Sequence, residues 1–194
     1  MYKDYYLLQW TFIVLIIASG FFVNVTRNGR KGVVLKVVDK GTITLFRLLY
    51  PLGIMTAFGM QFWSNFSLIG WIQAETLCVV GTTLFISGMA LRWSAILRLN
   101  NAFTVKISIL ENHQLITNGA FRFIRHPSYT GLLLYYAGLG LLMGNLISFL
   151  VLITMNVVVL IPRIKLEETA LSEHFGIEWE TYANKTYRLI PFVF

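Results

Sequence analysis

Apolar and polar positions fall along this chain in long blocks rather than with the short periods of a soluble fold. Tyr5–Val25 is a near-continuous apolar run, long enough at ~1.5 Å per residue to cross a hydrocarbon core of ~30 Å. It follows no basic segment and exceeds a signal-peptide core, so it reads as a retained span. Ile43–Trp63 is a second block, with Arg47 near its start and able to reach outward. Trp71 to about Leu97 is a third, opened by Trp71 and closed by Arg92, Trp93 and Arg98. Tyr129–Ile161 carries no charged residue over 33 positions. As one straight helix it would run roughly 50 Å, too long for a bilayer. Gly144-Asn145 at its middle is a good turn pair, so the block predicts a tight hairpin whose second helix continues past the membrane.

Beyond the hairpin, Leu166, Ala170, Leu171 and Phe175 return on one face with glutamates between them, the pattern of an amphipathic helix. It breaks near Gly176, and a second short helix from Glu178 to about Asn184 carries Trp179 and Tyr182. The pattern predicts an all-α polytopic membrane protein with five transmembrane helices and C-terminal helices lying against one face. It is a single integral membrane domain, with residues 1–97 as scaffold and 98–194 as the working half.

Composition strengthens the membrane reading. Hydrophobic residues make up 56% and charged residues 13% of the 194 positions, against about 25% charge in soluble domains. That excludes a soluble enzyme, a disordered chain and a disulfide scaffold; Cys78 alone closes no internal bridge. The net charge of +7 gains meaning from its placement. With five spans, segments 26–42, 98–128 and 162–194 share one side, and every Lys and Arg except Lys3 lies there or at its edge. The positive-inside rule makes that side cytoplasmic, with the N-terminus outside and the C-terminus inside. The cluster Arg27, Arg30, Lys31, Lys36 and Lys40 is then an orientation anchor on anionic lipid. No interleaved basic and aromatic face marks a nucleic-acid partner.

All three histidines and six of the nine acidic residues lie in 100–194. His113, His126 and His174 lack metal-ligand spacing and cysteine partners, so no metal is expected. Gly138-Leu-Gly140 lacks the third glycine of a dinucleotide fingerprint and lies inside a span, where helix packing is its use. The strongest local feature is Arg125-His126-Pro127-Ser128-Tyr129-Thr130-Gly131. Pro127 fits a first helical position. The helix it opens presents free N–H groups and a positive dipole end, beside Arg125 and His126, to a carboxylate or phosphate. Gly131 in the first turn leaves room for a ligand. An interfacial helix start with Arg and Tyr anchors fits the same residues. Arg163 and Glu167, four apart, share a helix face, either as an interfacial ion pair or with Arg163 receiving a substrate anion.

The combination Leu115-Ile-Thr-Asn-Gly-Ala-Phe-Arg-Phe-Ile-Arg-His-Pro-Ser-Tyr-Thr-Gly131, Glu167-Glu168, His174-Phe-Gly176, Tyr182 and Leu189-Ile-Pro191 resembles the isoprenylcysteine carboxyl methyltransferase family, in a compact prokaryotic-type form. The likeness covers roughly residues 98–194. It implies S-adenosylmethionine as methyl donor, held between cytoplasmic loops under the C-terminal cap rather than in a Rossmann domain. It also implies that His113, Gln114, Leu115 and Ile116 line the donor and that Phe121 packs on it. His126, Pro127, Ser128 and Tyr129 would form its methionyl and ribose end, and Glu167 would accept from its polar donors. Arg163 would face the substrate carboxylate. Lys106 stands where the eukaryotic members carry Gln. Related membrane enzymes that methylate phospholipid amines share the His-Pro and Glu-Glu elements, so the motif marks the donor better than the acceptor.

The expected reaction is carboxyl O-methylation of an S-prenylated cysteine or similar lipidated carboxylate. The partners are the bilayer and that lipid-linked substrate; the oligomeric state stays open. Phospholipid amine N-methylation is the alternative, followed by an NADPH-dependent sterol-type reductase and a non-enzymatic scaffold or transporter. Transport calls for ionisable groups at mid-membrane, which these spans lack.

Overall fold

The computed structural model describes residues 2–28, 34–63, 67–68, 72–111 and 114–191. His113 lies outside them, as do Arg30, Lys31 and Trp71. Among the described residues, four helices are long and apolar enough to cross a membrane. They are α1 (Tyr2–Asn28), α2 (Thr42–Trp63), α3 (Ala74–Leu99) and α5 (Leu146–Phe175). Between α3 and α5 lies α4 (Pro127–Leu142), 16 residues long and largely buried. The turn between α4 and α5 falls on the expected pair: Gly144 has φ +62°, and the Asn145 side chain accepts from the Ser148 N–H. A positive φ is the conformation glycine adopts without a steric cost.

Close packing of α3 on α4 explains why so short a helix is held so firmly. A Cβ on Gly88 would lie 2.6 Å from the Tyr135 nitrogen, and one on Gly81 would lie 2.8 Å from the Gly138 carbonyl. Glycines seven apart on α3 thus meet glycines seven apart on α4, which is how apolar helices approach where no hydrophobic effect drives them together. The same contact removes the ligand space expected at Gly131. Its Cβ position lies 2.6 Å from the Gly88 carbonyl and 2.7 Å from the Arg92 nitrogen, so α3 fills it.

Helix α2 packs on α5 through Tyr50 Oη, which donates to Asn156 Oδ1 at 3.0 Å, and Ser148 Oγ, which donates to the Ala57 carbonyl at 2.6 Å. Helix α1 joins through stacked Phe12 and Phe85 rings and through Gln9 Nε2, which donates to the Leu142 carbonyl at 2.7 Å. Outward, Phe21, Met55 and Val79 are more than half exposed, as expected of side chains that face lipid.

A two-stranded antiparallel sheet departs from the all-α expectation. Strand β1 (Val34–Val37) pairs with β2 (Ser108–Leu110), in the register Val34↔Leu110 and Val37↔Ser108. Strands of four and three residues fall below the length at which an apolar run announces itself, although Val and Ile favour them. The sheet ties the loop after α3 to the segment before α2. Helix α5 runs unbroken to Phe175, and α6 (Ile177–Ala183) follows Gly176, which has φ +53°. The break in the amphipathic pattern therefore falls where it was expected.

Candidate active site

Two cavities are prominent among the described residues. The first is small, about 100 Å³, with an open mouth. The loop after α3, the start of α4, the polar end of α5 and α6 enclose it. Gln114, Leu115, Ile116, Phe121, His126, Pro127, Ser128, Tyr129, Arg163 and Glu167 all line it. Residues as far apart in sequence as Gln114 and Glu167 thus share one wall, because the α4–α5 hairpin returns the chain to its starting level.

Local chemistry holds each of them. Pro127 is the first residue of α4, as its missing N–H allows. Tyr129 Oη donates to Glu167 Oε2 at 2.8 Å, and the His126 and Tyr129 rings stack at 5.5 Å. Next to Glu167, Glu168 gathers three basic groups. Arg125 Nε donates to its Oε1 at 2.9 Å and Arg188 Nε to its Oε2 at 2.9 Å, while His126 Nε2 lies 3.3 Å from Oε1. Glu168 lies beyond the apolar section of α5. Burial raises its carboxyl, but hydrogen bonds and charge from His126 and Arg125 outweigh this and hold it at about 2.

Arg125 also donates to the Ala183 and Thr186 carbonyls. The Arg125 and His126 backbone nitrogens bond the Tyr187 and Arg188 carbonyls at 2.7 and 3.1 Å. Arg125, expected beside a bound anion, therefore spends its guanidinium on the C-terminal segment. Glu168, rather than a ligand, neutralises the charge at the helix start. Tyr182 Oη donates to the Phe121 carbonyl at 2.8 Å, and burial pushes its hydroxyl up to about 12. It stays a donor at neutral pH and fixes α6 over the cavity.

Arg163 is buried. Nη1 donates to Thr42 Oγ1 at 3.1 Å and Nη2 to the Val105 carbonyl at 2.9 Å. Asp39 Oδ2 lies 3.8 Å from Nη1. Asp39 Oδ1 caps α2, accepting from Thr42 Oγ1 at 2.6 Å and the Ile43 N–H at 3.1 Å. Arg163 Nε and Asp39 Oδ2 have no hydrogen-bond partner. The simple i,i+4 pair of Arg163 with Glu167 gives way to partners from α2 and the preceding loop.

The second cavity, about 900 Å³, lies between α1 and α2, with Arg92, Val105, Tyr135 and Tyr136 at one end. Ile13, Ile54 and Phe58 are among its mainly apolar walls.

Sequence reasoning missed several of these residues. Trp179, Ala170 and Leu171 stood out as the apolar face of the C-terminal helices but also line the first cavity. Asp39 and Thr42, small polar residues just before the apolar run that opens at Ile43, are helix-start residues that could have been read. No pattern in sequence links them to Arg163.

Fold and site together define an integral membrane protein whose helices carry a polar cleft at one end. Residues 79–173 match the model of the isoprenylcysteine carboxyl methyltransferase (ICMT) family, and over that region the chain is similar to it. Protein-S-isoprenylcysteine O-methyltransferase B of Arabidopsis thaliana is 35% identical over 115 residues, 58% of each chain. The Saccharomyces cerevisiae protein-S-isoprenylcysteine O-methyltransferase is 34% identical over 123 residues, 62% of this chain and 52% of the yeast one. The solved structure of the eukaryotic intramembrane Ras methyltransferase ICMT superposes with a TM-score of 0.64 at 25% identity, covering 74% of this chain and 52% of that one. The chain thus spans little more than half the length of these relatives.

Proposed function

We propose that this chain is an S-adenosylmethionine-dependent carboxyl O-methyltransferase. Its substrate is the C-terminal carboxylate of an S-prenylated cysteine or a similar lipidated carboxylate, at the cytoplasmic membrane face. One observation carries the reading: Arg163, which lines the polar cavity, is bonded to the carbonyl of Val105, which lines the apolar one. A polar donor site and a lipid-sized space are therefore one residue apart.

The lining fits the donor. Glu167 has one oxygen engaged by Tyr129 and, among the described residues, none bonded to the other. Gln114 and the start of α4 offer further polar groups, and Phe121, Tyr129 and Trp179 offer aromatic faces to a sulfonium. The enclosed part takes one end of a nucleoside-sized molecule and the mouth takes the rest. When bound, S-adenosylmethionine supplies an electrophilic methyl group. The residues that would hold it are Gln114–Ile116, Phe121, His126–Tyr129 and Glu167. His113, next to Gln114, completes the expected set.

The protein's own contribution is positioning. A C-terminal carboxyl, with an ordinary pKa of ~3.3–3.7, is already ionised at neutral pH and needs no base. Arg163 orients it through the terminal N–H donors not used by Thr42 and Val105, its guanidinium held still by Thr42, Val105 and Asp39. Covering by α6 and the C-terminal segment keeps water from the reacting groups. The membrane arrangement that goes with this has five spans with α4 as the fourth, the N-terminus outside, and the site inside, a reading supported by the placement of the basic residues.

Incubation with radiolabelled S-adenosylmethionine and a panel of prenyl-cysteine, phospholipid and quinone acceptors tests the reading. Label is expected on the prenyl-cysteine. Label on phospholipid alone would replace carboxyl by amine methylation, and label on none would overturn the reading.

A further inference from the structure

We propose that the C-terminal segment 185–191 is a membrane-docked strap. An anionic lipid surface holds its outer side, and through it keeps the first cavity covered. That this cavity takes the methyl donor rests on the methyltransferase reading; the docking itself does not.

The segment lies along the start of α4. The Arg125 and His126 nitrogens donate to the Tyr187 and Arg188 carbonyls, and the Tyr187 nitrogen donates back to the Phe123 carbonyl at 3.0 Å. Thr130 Oγ1 donates to the Leu189 carbonyl at 2.8 Å. Arg125 precedes α4 and Thr130 is in its first turn, so the strap runs from the helix start towards the bilayer. Leu189 is buried in the core, but Tyr187 and Ile190 on either side of it are 38% and 40% exposed. Phe123, bonded to Tyr187 through the backbone, is 62% exposed. After Pro191 the sequence continues Phe192-Val193-Phe194, with no polar side chain.

Charge decides what covers this patch. The Arg122 guanidinium lies 5.9 Å from the centroid of the Phe123 ring, and Lys185 opens the strap; both are exposed. Among the described residues no carboxylate lies within ion-pair distance of either. Glu168 is already engaged by Arg125, His126 and Arg188. Rings and alkyl groups beside unpaired Arg and Lys, at the level where a span begins, suit the boundary of an anionic leaflet: the apolar parts sink in and the cations meet phosphates. Helix α6 carries exposed Glu178 and Glu180, which the same leaflet repels. The coupling follows from shared residues. Arg125 and His126, which bind the strap, also line the first cavity. A surface that binds the docked strap therefore favours the covered cavity, and a molecule bound in the covered cavity favours docking in return.

The test uses the full chain in nanodiscs of phosphatidylcholine, with or without anionic phosphatidylglycerol. Spin labels are placed at Phe123→Cys and Ile190→Cys, with Glu178→Cys as the water-facing control, each combined with Cys78→Ala. With phosphatidylglycerol present, the labels at 123 and 190 should collide more with oxygen than with a water-soluble nickel chelate, and the label at 178 the reverse. Water-like behaviour at 123 or 190 overturns the docking. Calorimetric binding of S-adenosylhomocysteine, the donor without its methyl group, reads the coupling. One basic residue at an anionic surface is worth about fivefold. Wild type should therefore bind about fivefold or more tightly with phosphatidylglycerol than without it. The double variant Arg122→Gln, Lys185→Gln changes exposed side chains only and should fold normally; it should lose that difference and keep its affinity on phosphatidylcholine. Equal affinity on both lipids in wild type, or an undiminished lipid effect in the double variant, overturns the coupling. No binding on either lipid would instead sink the donor reading. The labels would still decide the docking, and slower amide exchange at Tyr187 with phosphatidylglycerol would still decide whether lipid holds the strap down.

Discussion

Asp39 and Arg163 are buried together, and neither can lose its partner cheaply. Removing one member of a buried charged pair typically costs ~3–5 kcal/mol because the other is left uncompensated. Arg163→Ala is therefore expected to abolish methyl transfer and also to lower the melting temperature. Adding Asp39→Asn should restore much of the stability but none of the activity. Thermal denaturation of the single and double variants checks this; a double variant no more stable than Arg163→Ala would show that Asp39 does not feel the charge. Glu167→Gln keeps the shape of a side chain that is one-third exposed and lacks a buried counter-charge. It should fold like wild type and lose activity about a hundredfold or more, the scale of a single preorganised polar contact. Full turnover by this variant would remove Glu167 from the site. Of these residues, Arg163, Glu167 and the His126–Tyr129 run were legible in sequence because a motif marks them. Asp39 and Thr42 were not, since their meaning comes from Arg163, at least 121 positions away.

At the level of elements, the glycines separate packing from bare apolarity. Gly138→Val would drive a side chain into the α3 backbone and should cost about 1–3 kcal/mol. Gly20→Ala meets nothing within 4 Å and should leave stability unchanged or slightly raised. Comparable melting of the two would contradict the glycine contact between α3 and α4. The C-terminal segment makes a separate prediction about pH. The Glu168 carboxyl is held below its ordinary value, so its contribution to closure is complete above about pH 4.5 and is lost as pH falls towards 2. Hydrogen exchange at Tyr187 and Arg188 should quicken over that window in wild type, and already be fast at neutral pH in Glu168→Gln. Long helices and the hairpin turn were readable because block length and a Gly-Asn pair encode them. The short sheet was not readable, and neither was the role of α4 as a buried helix rather than a lipid-facing one. Both depend on what packs alongside.

For the whole molecule, the orientation proposed from the placement of charge decides which compartment the cleft sees. With Cys78 replaced by Ala, Ser67→Cys should react with an impermeant thiol reagent on intact cells. Lys185→Cys should react only after permeabilisation, and the reverse pattern would invert the topology. The bond formed distinguishes carboxyl from amine methylation. A methyl ester, unlike an N-methyl amine, is cleaved by mild alkali to methanol. Labelled S-adenosylmethionine and S-farnesylcysteine should therefore give a lipid-soluble product whose label becomes volatile on alkali treatment. Label that stays with the lipid after alkali would contradict carboxyl methylation directly.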